Sequence, residues 1–179
     1  MGMKGLHVLL SVKHAISAEQ AGADGIVAAG SEAGGLRSTG SESSTMVLVP
    51  LIADSVKVPV VAAGGIADSR GYRAALALGA QGVQIGTRFL ASAECPVHSK
   101  WKELIVSCED GGTQLLPVDN MMMRAIITPE LRERMEAPGF DIKKEFRLIN
   151  AEKAWNSAEF DLVPAGAGQV SALIKDIKT

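Results

Sequence analysis

Aromatic residues make up only 4% of this 179-residue chain, and cysteine occurs just twice. So few rings exclude the base-stacking platforms of single-stranded nucleic-acid proteins. The formal net charge is −2 and no basic stripe runs along the sequence, which argues against a general nucleic-acid surface. Cys95 and Cys108 lack a CxxC or any other metal-ligand spacing, and read as free thiols in a reducing compartment. The spacing suggests no metal set and no Ser-His-Asp or Cys-His arrangement. No apolar run approaches the ~18 residues that a membrane span needs. The run at 6–10 is too short for a signal h-region and has no cleavage pattern after it. It reads as a strand, and the cytoplasm is the expected location.

What remains is globular in composition, 47% hydrophobic and 21% charged, and long enough for a real core. The most informative stretch is Pro59-Val-Val-Ala-Ala-Gly-Gly-Ile66, followed by Gln84-Ile-Gly-Thr-Arg-Phe89. Each is an apolar run that ends in glycine. A helix is expected between them, with Asp68 as N-cap and Gly79 just past its end. Glycine at a strand end lets backbone N–H groups approach a ligand closely. A helix start just beyond adds unpaired donors. Two adjacent turns of this kind form the phosphate grip of (β/α)8 barrels, after their last two strands. A phosphate-bearing ligand is expected there.

The rest of the chain repeats the pattern. Strands are expected at 6–12, 23–29, 58–62 and 82–85, with helices at 15–21 and 45–55 between them. Pro50 lies inside the second helix. A polar, glycine-rich loop spans 31–44, and its serine-rich part, 38–44, reads as a lid. Alternating strands and helices with apolar strands imply a parallel sheet. Four βα units are half of a barrel, whose usual length is about 250 residues. The division expected is a half barrel over 1–93 and a helical or irregular extension over 94–179. In the extension, helices are expected at 97–106, 129–135 and 146–155, with an amphipathic one at 168–178. Residues 109–125, with Met121-Met-Met123, read as irregular apolar filler, and 139–145 as a loop.

The ordered motifs extend this reading. They are Ala23-Asp-Gly-Ile-Val-Ala-Ala-Gly30, Glu32-Ala-Gly-Gly35, Thr45-Met-Val-Leu-Val-Pro50, the two glycine turns, Ala74-Ala-Leu-Ala-Leu-Gly-Ala80, His98-Ser-Lys-Trp-Lys102 and Ala167-Gly-Gln-Val-Ser-Ala-Leu-Ile174. With them the chain resembles the C-terminal half of the nitronate monooxygenase (2-nitropropane dioxygenase) family, FMN-dependent TIM barrels. Flavin-dependent enoyl-acyl-carrier-protein reductases belong to the same wider group. The resemblance implies an FMN-dependent oxidoreductase that acts on a small alkyl nitronate with dioxygen. It places the FMN phosphate at Ala63, Gly64 and Gly65 and at Gly86 and Thr87. Gly34 and Gly35 would flank the flavin or the phosphate, and Gln84 would stand at a strand end near the cofactor.

Two departures follow from the same comparison. A histidine commonly follows Glu-x-Gly-Gly in the family as proton handler; here the residue is Leu36, which takes no proton. No catalytic residue is therefore assigned. A preformed nitronate anion needs no base, whereas a neutral nitroalkane does. Secondly, the family begins with four further βα units. Two open edges of a half barrel then need cover, from a homo-oligomer or a partner supplying the missing half. Three alternatives stay open: an NAD(P)H-dependent enoyl-thioester or quinone reductase, a non-catalytic half barrel, and a flavin-free phosphate-binding barrel. Among single residues, Glu32 sits in the loop where catalytic residues of barrels gather, and reads as solvated or as a helix-cap partner, with a catalytic role as the alternative. Arg37 and Arg88 are suited to phosphate or an acidic substrate, with structural roles as the alternative. His7 reads as a core histidine, His14 and His98 as ordinary surface groups.

Overall fold

The computed structural model describes residues 2–37 and 43–179; most of the expected lid, residues 38–42, lies outside them. The described chain forms two compact units. One runs to Ala33, resumes after the undescribed residues and ends at Ile85; the other takes residues 34–37 and 86–179. The expected division at 93/94 differs from this grouping, because 86–93 pack with the tail. Arg88 pairs with Asp176 at 2.8 Å, and the Ala93 N–H donates to the Lys178 carbonyl at 2.8 Å.

The first unit carries β1 (Leu6–Leu9), α1 (Val12–Gln20) and β2 (Gly25–Ala29). The next strand in the chain, β3 (Gly35–Arg37), belongs to the second unit. The first unit then continues with α2 (Thr45–Ala53), β4 (Val60–Ala63), α3 (Ser69–Ala77) and β5 (Gly82–Gln84). Its four strands form one parallel sheet in the order β1-β2-β4-β5, which is the half-barrel pattern. Side chains alternate across it. Ile26, Ala28, Val60 and Ala62 pack with Leu48, Ile52, Ala15 and Ala75 of the helices. Val27, Ala29, Val61 and Ala63 lie on the opposite face with Leu10.

Local signals in the sequence fix the helix ends. Ser11 caps α1 by accepting the His14 N–H. Gly22 and Gly79, at φ +92° and +96°, follow α1 and α3 as left-handed stops. Asp68 caps α3, accepting the N–H groups of Arg70 and Gly71. His7 is not in the core as expected. The strand that carries it is outermost in the sheet, and His7, Leu6 and Val8 are all exposed.

The Asp68 carboxyl is held at about 2, first by its hydrogen bond from the Arg70 guanidinium and then by the Arg70 N–H. Its folded value lies below the ordinary carboxylate value, so its contribution is present above that value and lost as acid protonates it. Thermal melts should show Asp68→Ala less stable than the parent at neutral pH. That gap should close between about pH 5 and pH 2. A gap constant across the range would remove the cap from the account.

The second unit continues with α4 (Thr87–Leu90), α5 (Ser99–Ser107), β6 (Thr113–Val118), β7 (Met121–Ile126), α6 (Pro129–Glu136), α7 (Ile142–Glu145) and α8 (Ala151–Ser157). Residues 109–125 are thus not irregular. They make most of a hairpin, β6–β7, which β3 joins as a third antiparallel strand. Val118 pairs with Met121, so Asp119-Asn120 is a two-residue turn, and Asp119 sits at φ +50°, as such turns demand. Its carboxylate accepts the Leu148 N–H at 2.9 Å and the Arg147 guanidinium. Pro117 is tolerated because β6 is an edge strand. The expected helix at 168–178 is instead a 3₁₀ segment, Gln169–Leu173, with Ile174 extended after it. Ser171 and Ile174 are buried there, and the Ser171 hydroxyl bonds the Gly168 carbonyl. Packing has overridden the helical period. Likewise 139–145 contains α7, and 146–155 is divided into a 3₁₀ turn and α8.

Candidate functional site

In the first unit, the turn after β4 is built from two glycines in the left-handed region, Gly64 at φ +92° and Gly65 at φ +73°. A Cβ on Gly64 would come within 2.9 Å of the Ala33 nitrogen. Among the described residues, the Gly65 N–H has no hydrogen-bond acceptor, whereas the Gly64 N–H faces β5, where Ala63 pairs with Gln84. Ala63, just before them, uses its carbonyl to accept the Gly30 N–H at 2.9 Å. Gln84 pairs with Ala63 in register and is exposed. The turns after β4 and β5 therefore leave the same edge of the sheet.

Glu32 is neither free nor placed as an acid or base. Its carboxylate accepts the Thr45 N–H at 2.8 Å and lies 3.0 Å from the Thr45 hydroxyl. It caps α2, whose preceding residue, Ser44, makes no side-chain cap. The helix-cap reading of Glu32 describes its contacts.

In the second unit, Gly34, Gly35, Gly86 and Thr87 line one cavity of about 360 Å³. Its other walls are Leu36, Leu90, Trp101, Met123, Leu148, Ala151, Ala154, Trp155, Val163, Pro164, Gly166 and Ala167. No ionisable side chain is in this lining. Thr87 is buried, and its hydroxyl accepts the Gly168 N–H at 3.0 Å, which leaves its proton to donate. Gly34 lets the backbone through: a Cβ there would lie 2.3 Å from the Ala167 carbonyl carbon. Trp101 is fixed by its indole bond to the Gly166 carbonyl at 3.3 Å and stands edge-on to Trp155.

Leu36 lines this cavity opposite Met123 in the β3–β7 pairing. Arg37 is next in the strand, on the other face, and buried; it does not line the cavity. Arg88 is engaged structurally, bonding Asp176 and the carbonyls of Ala91 and Asp176. His98 caps α5, its Nδ1 accepting the Lys100 N–H at 3.2 Å. Burial pushes the Cys108 thiol up. No group of three or more metal-ligating side chains occurs among the described residues. No helix there is long and apolar enough to cross a membrane.

The sequence missed the cavity walls from the hairpin and α8. The turn signal Asp119-Asn120 between two six-residue runs was the clue available for the hairpin. It also missed Thr45 as the partner of Glu32 and of the glycine turn.

Comparison with known proteins gives a consistent picture. The family model described as nitronate monooxygenase matches residues 3–167. A probable nitronate monooxygenase from Staphylococcus saprophyticus is 35% identical, over 92% of this chain and 50% of that protein. One from Staphylococcus aureus strain Newman is 35% identical over 89% of this chain and 48% of its own length. Among solved structures, FabK from Thermotoga maritima matches with TM-score 0.85 and 37% identity, over 99% of this chain and 57% of that one. A nitroalkane oxidase from Streptomyces ansochromogenes matches with TM-score 0.79 and 26% identity, over 99% and 54%. The chain spans about half the length of the curated relatives it matches.

Proposed function

Since the chain belongs to the nitronate monooxygenase family, we propose that it serves the oxidation of small alkyl nitronates by dioxygen, with FMN as cofactor. The supporting observation is the cavity of the second unit, where four residues expected to hold the flavin line one wall system without an ionisable side chain. The glycine turn of the first unit fits a phosphate. The Gly65 N–H has no acceptor among the described residues, and the backbone of the turn takes no Cβ without strain.

When bound, FMN supplies the redox chemistry, and the chain binds and orients. Gly65 offers its backbone N–H to the phosphate, and Gly64 supplies the left-handed turn that brings it there. Gly86 and Thr87 offer theirs, with the Thr87 hydroxyl proton in addition. Ala63 fixes the start of the first turn through its carbonyl, and Gln84 ends the neighbouring strand. Gly34 and Gly35 flank the flavin, and the apolar wall keeps water from the substrate. With Leu36 in the lining, no side chain there removes an α-proton. The substrate on this reading arrives as the nitronate anion, which is already deprotonated.

A second reading, NAD(P)H-dependent reduction of an enoyl thioester or quinone, draws on the higher identity to FabK than to the nitroalkane oxidase. The open sheet edges suit a second copy or a partner carrying the other half of a barrel. Leu6 and Val8 of β1 are 60% and 53% exposed.

The test is the visible spectrum of the purified chain mixed with FMN and passed over a sizing column. A flavin band co-eluting with protein is expected, bleached by an alkyl nitronate without oxygen and restored by air. Bleaching by NAD(P)H but not by nitronate would move the function to the second reading. Colourless protein that takes up no FMN would overturn the cofactor assignment for this chain.

A further inference from the structure

The Thr45 hydroxyl lies 2.9 Å from the Gly64 carbonyl, 3.2 Å from the Ala63 carbonyl and 3.0 Å from a Glu32 carboxylate oxygen. A hydroxyl has one proton and two acceptor sites. Glu32 is already bound to the Thr45 backbone N–H at 2.8 Å, and Ala63 already accepts the Gly30 N–H at 2.9 Å. The Gly64 carbonyl is the shortest of the three contacts and has no other donor among the described residues. It is the oxygen with most to gain from that proton.

This matters through the geometry of the peptide bond. The Gly64 carbonyl and the Gly65 N–H belong to one planar trans unit, in which they point in opposite directions. Holding the carbonyl on Thr45 therefore turns the Gly65 N–H away from Thr45. The Gly64 N–H is a different case: with the Ala63 carbonyl held by Gly30 on the β2 side, it faces β5, where Ala63 pairs with Gln84. Glycine is free to rotate these planes, so without the Thr45 anchor the Gly65 N–H has no fixed aim. Thr45 is 8% exposed, and Glu32 fixes its backbone, so the anchor is itself held in place.

We infer that Thr45 is a positioning residue for anion binding at the Gly64–Gly65 turn, acting by orienting the Gly65 N–H toward a phosphate oxygen. The inference rests on the reading that this turn holds the flavin phosphate. It adds to that reading a side chain that touches no ligand.

Two measurements test it, FMN dissociation constants from flavin fluorescence and amide hydrogen exchange of the 59–66 segment in the flavin-free protein. Thr45→Val keeps the shape and removes the hydroxyl. It should weaken FMN binding roughly ten- to hundredfold and speed exchange in 59–66. Thr45→Ser, which keeps the hydroxyl, should restore both to near the parent values. Thr45→Ala provides the same loss if the valine variant does not fold. FMN bound equally by parent, Thr45→Val and Thr45→Ala would overturn the inference and leave the phosphate reading standing. Equal weakening in Thr45→Ser would overturn it too, since the hydroxyl would then not be the cause. A parent chain that takes up no FMN would remove the phosphate reading, and this inference with it.

Discussion

Gly34→Ala is expected to unfold the second unit or destabilise it by about 3 kcal/mol or more. The added Cβ would meet the Ala167 carbonyl carbon and the Gly168 nitrogen, both at 2.3 Å. These are backbone atoms, so no flexible side chain can yield. They are also held from the other side. The Gly168 N–H donates to the Thr87 hydroxyl, and the Ala167 N–H donates to the Arg124 carbonyl at 3.2 Å. Relief requires breaking one of these bonds or shifting β3 away from β7. Denaturant unfolding of the variant beside the parent measures the loss. A variant as stable as the parent would show that the 34–37 strand moves freely, contrary to the register found. Gly35 offers a control, because a Cβ there meets nothing within 4 Å. Only its φ of +74° penalises alanine, by about 1–3 kcal/mol.

Gly65→Val is expected to abolish FMN uptake while leaving the helical content of the chain in place. The nearest atom to a Cβ at this position is the Glu32 Cβ at 3.5 Å, so space for the side chain is not the difficulty. The difficulty is the φ of +73°, which a β-branched residue does not adopt. The backbone must rotate to a negative φ, which re-aims the N–H groups on both sides of the residue. The side chain also stands where a phosphate would need to approach. The outcome is read by absorbance of the protein peak after incubation with FMN, beside far-ultraviolet circular dichroism. Undiminished flavin in a folded variant would contradict the phosphate assignment at this turn.

Much of the first unit was legible in the sequence because its signals are local. Ser11, Gly22, Asp68 and Gly79 act within a few residues of where they stand. The apolar runs of β2 and β4 are continuous because both faces of each strand carry packed side chains. The second unit was read less well because its structure is decided by distant partners. Met121-Met-Met123 has no intrinsic preference for a strand; it becomes one by pairing with 113–118 on one side and 35–37 on the other. The 168–178 segment has a helical apolar period, yet buried Ser171 and Ile174 hold it in a 3₁₀ turn with an extended end. At the site, the glycines announce themselves, because only their backbone conformation permits the turn. Thr45 does not. One hydroxyl opposite a carbonyl nineteen residues away leaves no pattern in a single sequence.

The outermost strand β1 has a consequence for handling the protein. It pairs on one side only, and it displays Leu6 and Val8 to solvent. A strand of this kind templates stacking by other chains, and natural sheets blunt such edges with charge. Here the nearest charge is Lys4, and it is tied to Asp24 at 2.7 Å. With no Lys, Arg, Asp or Glu on β1 itself, association of chains is expected to cloud a concentrated solution of this chain on its own, and light scattering followed against concentration measures it.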